Sequence, residues 1–352
     1  MMQTGYAPQT PLRLLHDQER AALRRRALFA GWVVLIFFGT EIPLATVDSF
    51  FTLFLTNGHD ASLSEWIGTF SPLGSALYDA VQYAILLAVP ILVGFAFCRK
   101  CGARPVVTHK IPAAHAIALL AVGLAACVSA NFFSGLITEW LSFLGFDPIS
   151  IPSTQDGSPA ILLVTLVSTA VLPAILEELL FRGVVLQLLR PAGDRTALIL
   201  SALLFGMAHG TVEQIPFAFV VGLACGYYVL KTGNLFLGMV LHFLNNAMAV
   251  LLDYAMLDAT DAESVAWTYS AFILLTALGV IGWLFLRRRA PQVITPVYDG
   301  RSSWLSRGER RRVAWLTPTV LIYLIIALLF ALIAARPAWL TDLFSFGGVT
   351  YG

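Results

Sequence analysis

Charge is what this sequence has least of. Only 12% of its 352 residues are Asp, Glu, Lys or Arg, about half the share of an ordinary soluble domain, while 58% are hydrophobic and the mean hydropathy is +0.79. A formal net charge of +1 leaves no global basic field, so no nucleic acid is expected as a partner. Cysteine is scarce as well, at four residues. Cys127 and Cys225 lie in apolar runs, where a thiol is an ordinary small hydrophobe. Cys98 and Cys101 form a solitary C-x-x-C with only His109 near it, and a structural zinc site takes four ligands, so neither metal nor redox chemistry is expected there. A cleavable signal peptide is not expected, because the first 26 residues are polar and basic and the apolar run after them is too long for one. Internal repeats, low-complexity tracts and a soluble domain able to hold its own core are likewise missing.

What the chain does have is a series of apolar runs, most near twenty residues, a length that crosses about 30 Å of hydrocarbon. Nine spans are expected, at 27–47, 76–98, 113–137, 159–181, 196–207, 215–230, 235–252, 271–286 and 316–335. The fold class is therefore all-α, a polytopic transmembrane helical bundle. Lys and Arg concentrate in alternate loops: Arg24 to Arg26, then Arg99 to Lys110, Arg182 with Arg190 and Arg195, Lys231, and Arg287 to Arg312. By the positive-inside rule the amino terminus is cytoplasmic and the carboxyl terminus external, in a multi-pass protein of the plasma membrane. The least secure of the nine is 196–207, which is short and runs into "GMAHGT". Around the spans, residues 1–26 form a cytoplasmic tail, read as solvated rather than as a surface helix with Leu12, Leu15 and Leu23 inward. Residues 27–137 are accessory helices, 253–286 a further outer loop and span, 287–314 a basic cytoplasmic loop with Pro291, Pro296 and Gly300, and 315–352 the last span and an external tail.

Inside the fourth run stands "ILEELLFRGV". An ionised residue mid-span costs about 2.5–3.5 kcal/mol, and each Leu, Ile, Val or Phe returns roughly 0.3–0.6, so two glutamates remove about what the whole run supplies. They must face protein or a wet cavity. Glu178 and Arg182 are one turn apart with the acid first, a good local ion pair that could equally be a snorkelling interface feature. Glu177 points about 100° away and has no local partner. Two other runs offer partners: Phe205 and His209 at i and i+4, and His242 and Asn246 at i and i+4, with Asn245 off that face. Either histidine alone is more often a hydrogen-bonded core residue; beside an unpaired intramembrane glutamate the two weigh more. Glu41, Asp79 and Gln82 are explained by interface positions or interhelical hydrogen bonds, His115 by the interface, and His16 and His59 by solvated segments. Because the glutamates fall near the cytoplasmic end of 159–181, the cavity is expected to open toward the cytoplasm.

Glu177-Glu178-x-x-x-Arg182, Phe205-x-x-x-His209 and His242-x-x-x-Asn246, in this order and each on its own apolar helix, resemble the motifs of the CPBP family of intramembrane proteases, which groups type II CAAX prenyl endopeptidases with bacterial Abi and bacteriocin-processing or self-immunity homologues. The likeness covers about 158–252, which it makes the catalytic core. It implies that Glu177 and His209 activate a water, that His242 and Asn246 form an oxyanion hole, and that Glu178, Arg182 and Phe205 support them. The implied activity is an intramembrane endopeptidase acting on a membrane-associated or lipid-anchored protein or a leader peptide, with the lipid bilayer and that peptide as its partners. A carboxylate with two histidines is also a catalytic zinc set, so Glu177, His209 and His242 are the ligands if a metal takes part; the resemblance favours a metal-independent glutamate mechanism with no cofactor. Other membrane-protease signatures fail: there is no H-E-x-x-H, no G-x-S-G, and no pair of intramembrane aspartates. The competing class is a transporter or a binding or immunity scaffold using the same groups as an ion or proton relay. Asn246 discriminates, since an amide does not relay protons by titration but can bind an oxyanion or a metal.

Overall fold

The computed structural model describes residues 11–55, 63–146, 158–297 and 303–335. The first ten residues, the loops with His59, Asp60, Asp147 and Gly300, and the expected external tail from 336 onward lie outside the described residues. The described chain is helical almost throughout, with a single isolated bridge between Thr108 and Asn234. Its helices are α1 (Pro11–Leu55), α2 (Leu63–Phe70), α3 (Pro72–Lys100), α4 (Ala113–Phe143), α5 (Pro159–Ala192), α6 (Asp194–Met207), α7 (Gln214–Thr232), α8 (Leu235–Ala255), α9 (Asp261–Arg289), α10 (Arg307–Trp315) and α11 (Pro318–Ala334).

Local chemistry sets the boundaries. Ser71 and Ser158 cap α3 and α5, each followed by a proline at the first helical position, where its missing N–H takes nothing from the helix. Asn234 caps α8. Thr260 with Glu263 and Ser306 with Glu309 form reciprocal capping boxes that start α9 and α10. Gly233, at φ 62°, stops α7 in the left-handed conformation and lets α8 begin two residues later.

Seven of these helices, α1, α3, α4, α5, α7, α8 and α9, are long and apolar enough to cross a membrane singly. The pair α10–α11, bent by 53°, makes an eighth if it is one span. The expected span at 196–207 corresponds to α6. Its 14 residues reach about 21 Å at 1.5 Å per residue, short of the hydrocarbon thickness. Ten of them are buried, so α6 is a helix inside the bundle and needs no lipid-length apolar face.

Two segments differ from the sequence reading. Residues 11–26, expected as a solvated tail, are the first turns of α1 and run without a break into the apolar stretch. Leu23 is buried there while Leu12 and Leu15 are exposed. Glu19 accepts from Ser303 and from the Trp304 backbone, and His16 meets Glu309, which docks the start of α1 on the first turn of α10 and the segment before it. The basic loop is also ordered where it is described: Tyr227 donates to the Val293 and Thr295 carbonyls, and Arg310 is buried.

α4 and α9 pack through small residues, as membrane helices do when dispersion is the main attraction between them. A Cβ on Gly282 would stand 2.7 Å from the Ala118 carbonyl oxygen, so the backbones approach too closely for a side chain. Gly282→Val is expected to destabilise the protein by about 1–3 kcal/mol through overpacking, read as a lower unfolding temperature in detergent. Gly39→Ala, where a Cβ meets nothing within 4 Å, should leave that temperature unchanged.

Candidate functional site

α5 carries the glutamates and is not a regular helix. Two π-helical turns interrupt it, at Leu166–Val171 and Leu179–Val185, each admitting a wider loop of backbone than the α repeat, a deviation common at functional sites. Pro173 lies between them. It has no N–H to give to the carbonyl four residues back, that of Thr169, and this carbonyl instead accepts a 2.9 Å hydrogen bond from Asn246 Nδ2.

The deepest part of the site is a charged pair. Arg182 Nη1 lies 2.8 Å from Glu178 Oε1, and both side chains are fully buried. The contact does not line up as a hydrogen bond, so charge and the Phe205 ring, 4.2 Å under the guanidinium carbon, hold the arginine. The same Glu178 oxygen lies 3.2 Å from His242 Nδ1. A carboxylate only accepts, so Nδ1 carries the proton and the ring is turned to present Nε2, which stands 3.8 Å from Glu177 Oε2.

Glu177 is held from α3. Tyr83 donates its hydroxyl to Glu177 Oε1, while Oε2 is buried with no hydrogen-bond partner among the described residues. His209 lies just beyond α6, with Nδ1 3.0 Å from the Phe205 carbonyl. A carbonyl also only accepts, which fixes the proton on Nδ1 and leaves the Nε2 lone pair free. The Phe205 ring packs edge-on against both imidazoles, at 4.9 Å from that of His209 and 5.9 Å from that of His242. On α8, Asn245 Nδ2 donates to Asn246 Oδ1 at 2.9 Å. With its oxygen accepting from Asn245 and its nitrogen donating to Thr169, the Asn246 amide has one orientation that satisfies both contacts, and its second N–H is uncommitted.

Glu177, His209, His242 and Asn246 thus line one cavity of about 690 Å³, with Tyr83, Asp79, Thr169 and Phe205 also on its wall. Glu178 and Arg182 lie behind it. The cavity was expected toward the cytoplasmic end of a span ending at Phe181. Because α5 continues to Ala192, Glu177 sits near mid-helix, and the wall extends from it toward the Pro159 end through Pro173, Thr169, Ser168 and Thr165. Tyr83 carried no signal in the sequence beyond its place after Gln82; it is on a helix remote from the motifs. Asp79, read as an interface residue, lies on the cavity wall, and Asn245, discarded as off the face, orients its neighbour.

A metal ligand set is not assembled here: among the described residues no three His, Cys, Asp or Glu side chains converge as one. Glu177, His209 and His242 all line the cavity, with His242 Nε2 and Glu177 Oε2 3.8 Å apart.

Residues 159–248 match the family described as type II CAAX prenyl endopeptidase, Rce1-like, a stretch that contains all three motifs and the cavity wall from α5 to α8. No curated protein and no solved structure matches the chain.

Glu178→Ala leaves the Arg182 guanidinium buried without a counter-charge, which costs on the order of 3–5 kcal/mol. The variant is expected to lose that much stability in detergent denaturation, and the double variant Glu178→Leu with Arg182→Met to recover much of it. Equal stability of Glu178→Ala and wild type would show the pair to be incidental.

Proposed function

We propose that this chain, which belongs to the type II CAAX prenyl endopeptidase family through residues 159–248, is an intramembrane endopeptidase that hydrolyses a peptide bond in a membrane-associated or lipid-anchored protein or leader peptide. The observation that carries the reading is Glu177: one carboxylate oxygen tied to Tyr83, the other open and buried against a cavity that also holds the free His209 Nε2.

The chemistry follows from the donors and acceptors in place. A water between Glu177 Oε2 and His209 Nε2 gives its proton to the carboxylate as its oxygen adds to the scissile carbonyl carbon. The carbonyl oxygen becomes an oxyanion and meets donors already oriented for it, the second Asn246 N–H and His242 Nε2–H. Because His242 gives its Nδ1–H to Glu178, Nε2 is a donor only when the ring holds both protons, and the carboxylates of Glu177 and Glu178 flank the ring as counter-charges. Glu177 then returns its proton to the departing nitrogen and the C–N bond breaks, leaving a carboxylic acid and an amine. No step needs a metal, and a metal-independent reaction is the proposal.

The test compares the protein termini of membranes from cells carrying wild-type protein or Glu177→Ala at matched expression. New termini that vanish in Glu177→Ala and in His209→Ala identify a protease and its substrate. A phenotype lost in these variants with unchanged termini favours a transporter or binding scaffold. On the substrate so found, Asn246→Ala should lower kcat about a hundredfold or more, and chelation of the purified enzyme should leave kcat unchanged. Tyr83→Phe frees Glu177 Oε1 and is expected to lower kcat about tenfold or more, the worth of one hydrogen bond to a charged group, with KM unchanged. A rise in KM alone would place Tyr83 in substrate binding.

A further inference from the structure

The cavity is one-ended. The helices alternate in direction, so the amino-terminal parts of α3, α5 and α7 and the carboxyl-terminal parts of α6 and α8 lie at the same end of the bundle. The cavity wall comes from those parts: Asp79 on α3, Thr165 and Thr169 on α5, Gln214 on α7, Asn246 on α8. Asp79 and Thr169 are exposed, which marks the mouth. On the other side of Glu177, α5 is sealed: Leu180, Phe181, Arg182 and Val184 to Leu189 are all buried, and Phe205 closes the layer from α6. A peptide reaches Glu177 from the Asp79 end and not through the bundle.

The two ends carry different charge. Lys100 ends α3, Arg190 and Arg195 flank the turn between α5 and α6, Lys231 ends α7 and Arg287 to Arg289 end α9; all are at the sealed end, as are the arginines that begin α1 and α10. At the mouth end the described residues include no Lys or Arg, while Asp79, Glu139, Glu213, Asp253, Asp261 and Glu263 stand there. The bias does not hang on one loop: every described connection at the sealed end is basic. Membrane helices are inserted with Lys and Arg of short loops retained in the cytoplasm.

We infer that the cavity opens to the non-cytoplasmic face, and that the substrate class is a peptide displayed there: an exported leader, or the outer-face segment of a membrane-anchored protein. A segment confined to the cytoplasm meets only the sealed end. This rests on the protease reading for the word substrate, and on the charge distribution alone for the side.

Labelling tests the side without needing hydrolysis. Cells carrying full-length Asp79→Cys, Gln214→Cys, Glu263→Cys or Arg288→Cys are treated with a membrane-impermeant maleimide, intact or after lysis. All four native cysteines are buried, and the wild-type chain serves as the blank. Asp79→Cys, Gln214→Cys and Glu263→Cys should label as fully in intact cells as after lysis, and Arg288→Cys only after lysis. Labelling of Arg288→Cys in intact cells, with loss of label at the other three, reverses the orientation and overturns the inference. Label at Glu263→Cys without label at either cavity position overturns the opening while keeping the orientation. Since Glu263 is remote from the cavity, it reports the side even where a cavity variant fails to fold. The expected labelling with no Glu177-dependent termini would sink the protease reading and leave the side standing.

Discussion

The ion pair of Glu178 and Arg182 is the constraint on which the site depends. Neither group tolerates burial alone, and in the bilayer core neither has water to turn to. Once paired, they hold two further parts in place. Glu178 accepts a hydrogen bond from His242 Nδ1 and turns that ring's other nitrogen toward Glu177, and Arg182 lies on the Phe205 ring, which packs against both histidines. A pair without direct access to the cavity therefore orients one imidazole and braces the aromatic ring that packs against both. Its sequence signature, two acids side by side, serves two roles because consecutive helical residues point apart: one glutamate faces the core of the bundle and the other the cavity.

The irregularity of α5 serves the same arrangement. A regular helix uses every carbonyl internally and has none to lend. Pro173 withdraws a donor from Thr169, and the neighbouring π turn loosens the backbone around it, so a carbonyl on the cavity wall becomes available to Asn246. Together with Asn245, that carbonyl fixes which way the amide points, which is the difference between presenting an N–H and presenting an oxygen to the cavity. A local defect in one helix thereby orients a side chain on another.

Much of this was legible in the sequence because membrane burial makes polar residues conspicuous. Glu177, Glu178, Arg182, His209, His242 and Asn246 stand out in apolar runs, and the all-helical class follows from the runs themselves. Contacts between helices distant in sequence were not legible. Tyr83 looks like any tyrosine in a span, and only the packing of α3 on α5 brings it to Glu177. Hydropathy also places ends poorly where a helix is buried: α5 passes through the basic and polar residues after Phe181, because Arg182 is ion-paired and Gln187 hydrogen-bonded inside the protein and neither marks an interface. That extension moved Glu177 from the end of a span to its middle, and the cavity with it. For α1 the error ran the other way. Arg24 to Arg26 look like the end of a helix facing water, yet Leu23 packs inward and the helix continues beneath them.

The proposed hydrolysis inside a bilayer sets two demands that oppose each other: water must reach the carboxylate, and the bundle must not leak. A cavity open at one end meets both. Polar groups line the way in from Asp79 and Gln214 to Glu177, and immediately beyond Glu177 the polar lining stops at a layer of Phe181, Phe205 and paired charge with no exposed surface to speak of. The buried ion pair suits that position better than an apolar plug of the same size would. It seals by packing, since Arg182 is the largest fully buried side chain among the described residues, and on its cavity side the pair still supplies the carboxylate that meets His242. The floor of the cavity and the support of its chemistry are the same residues.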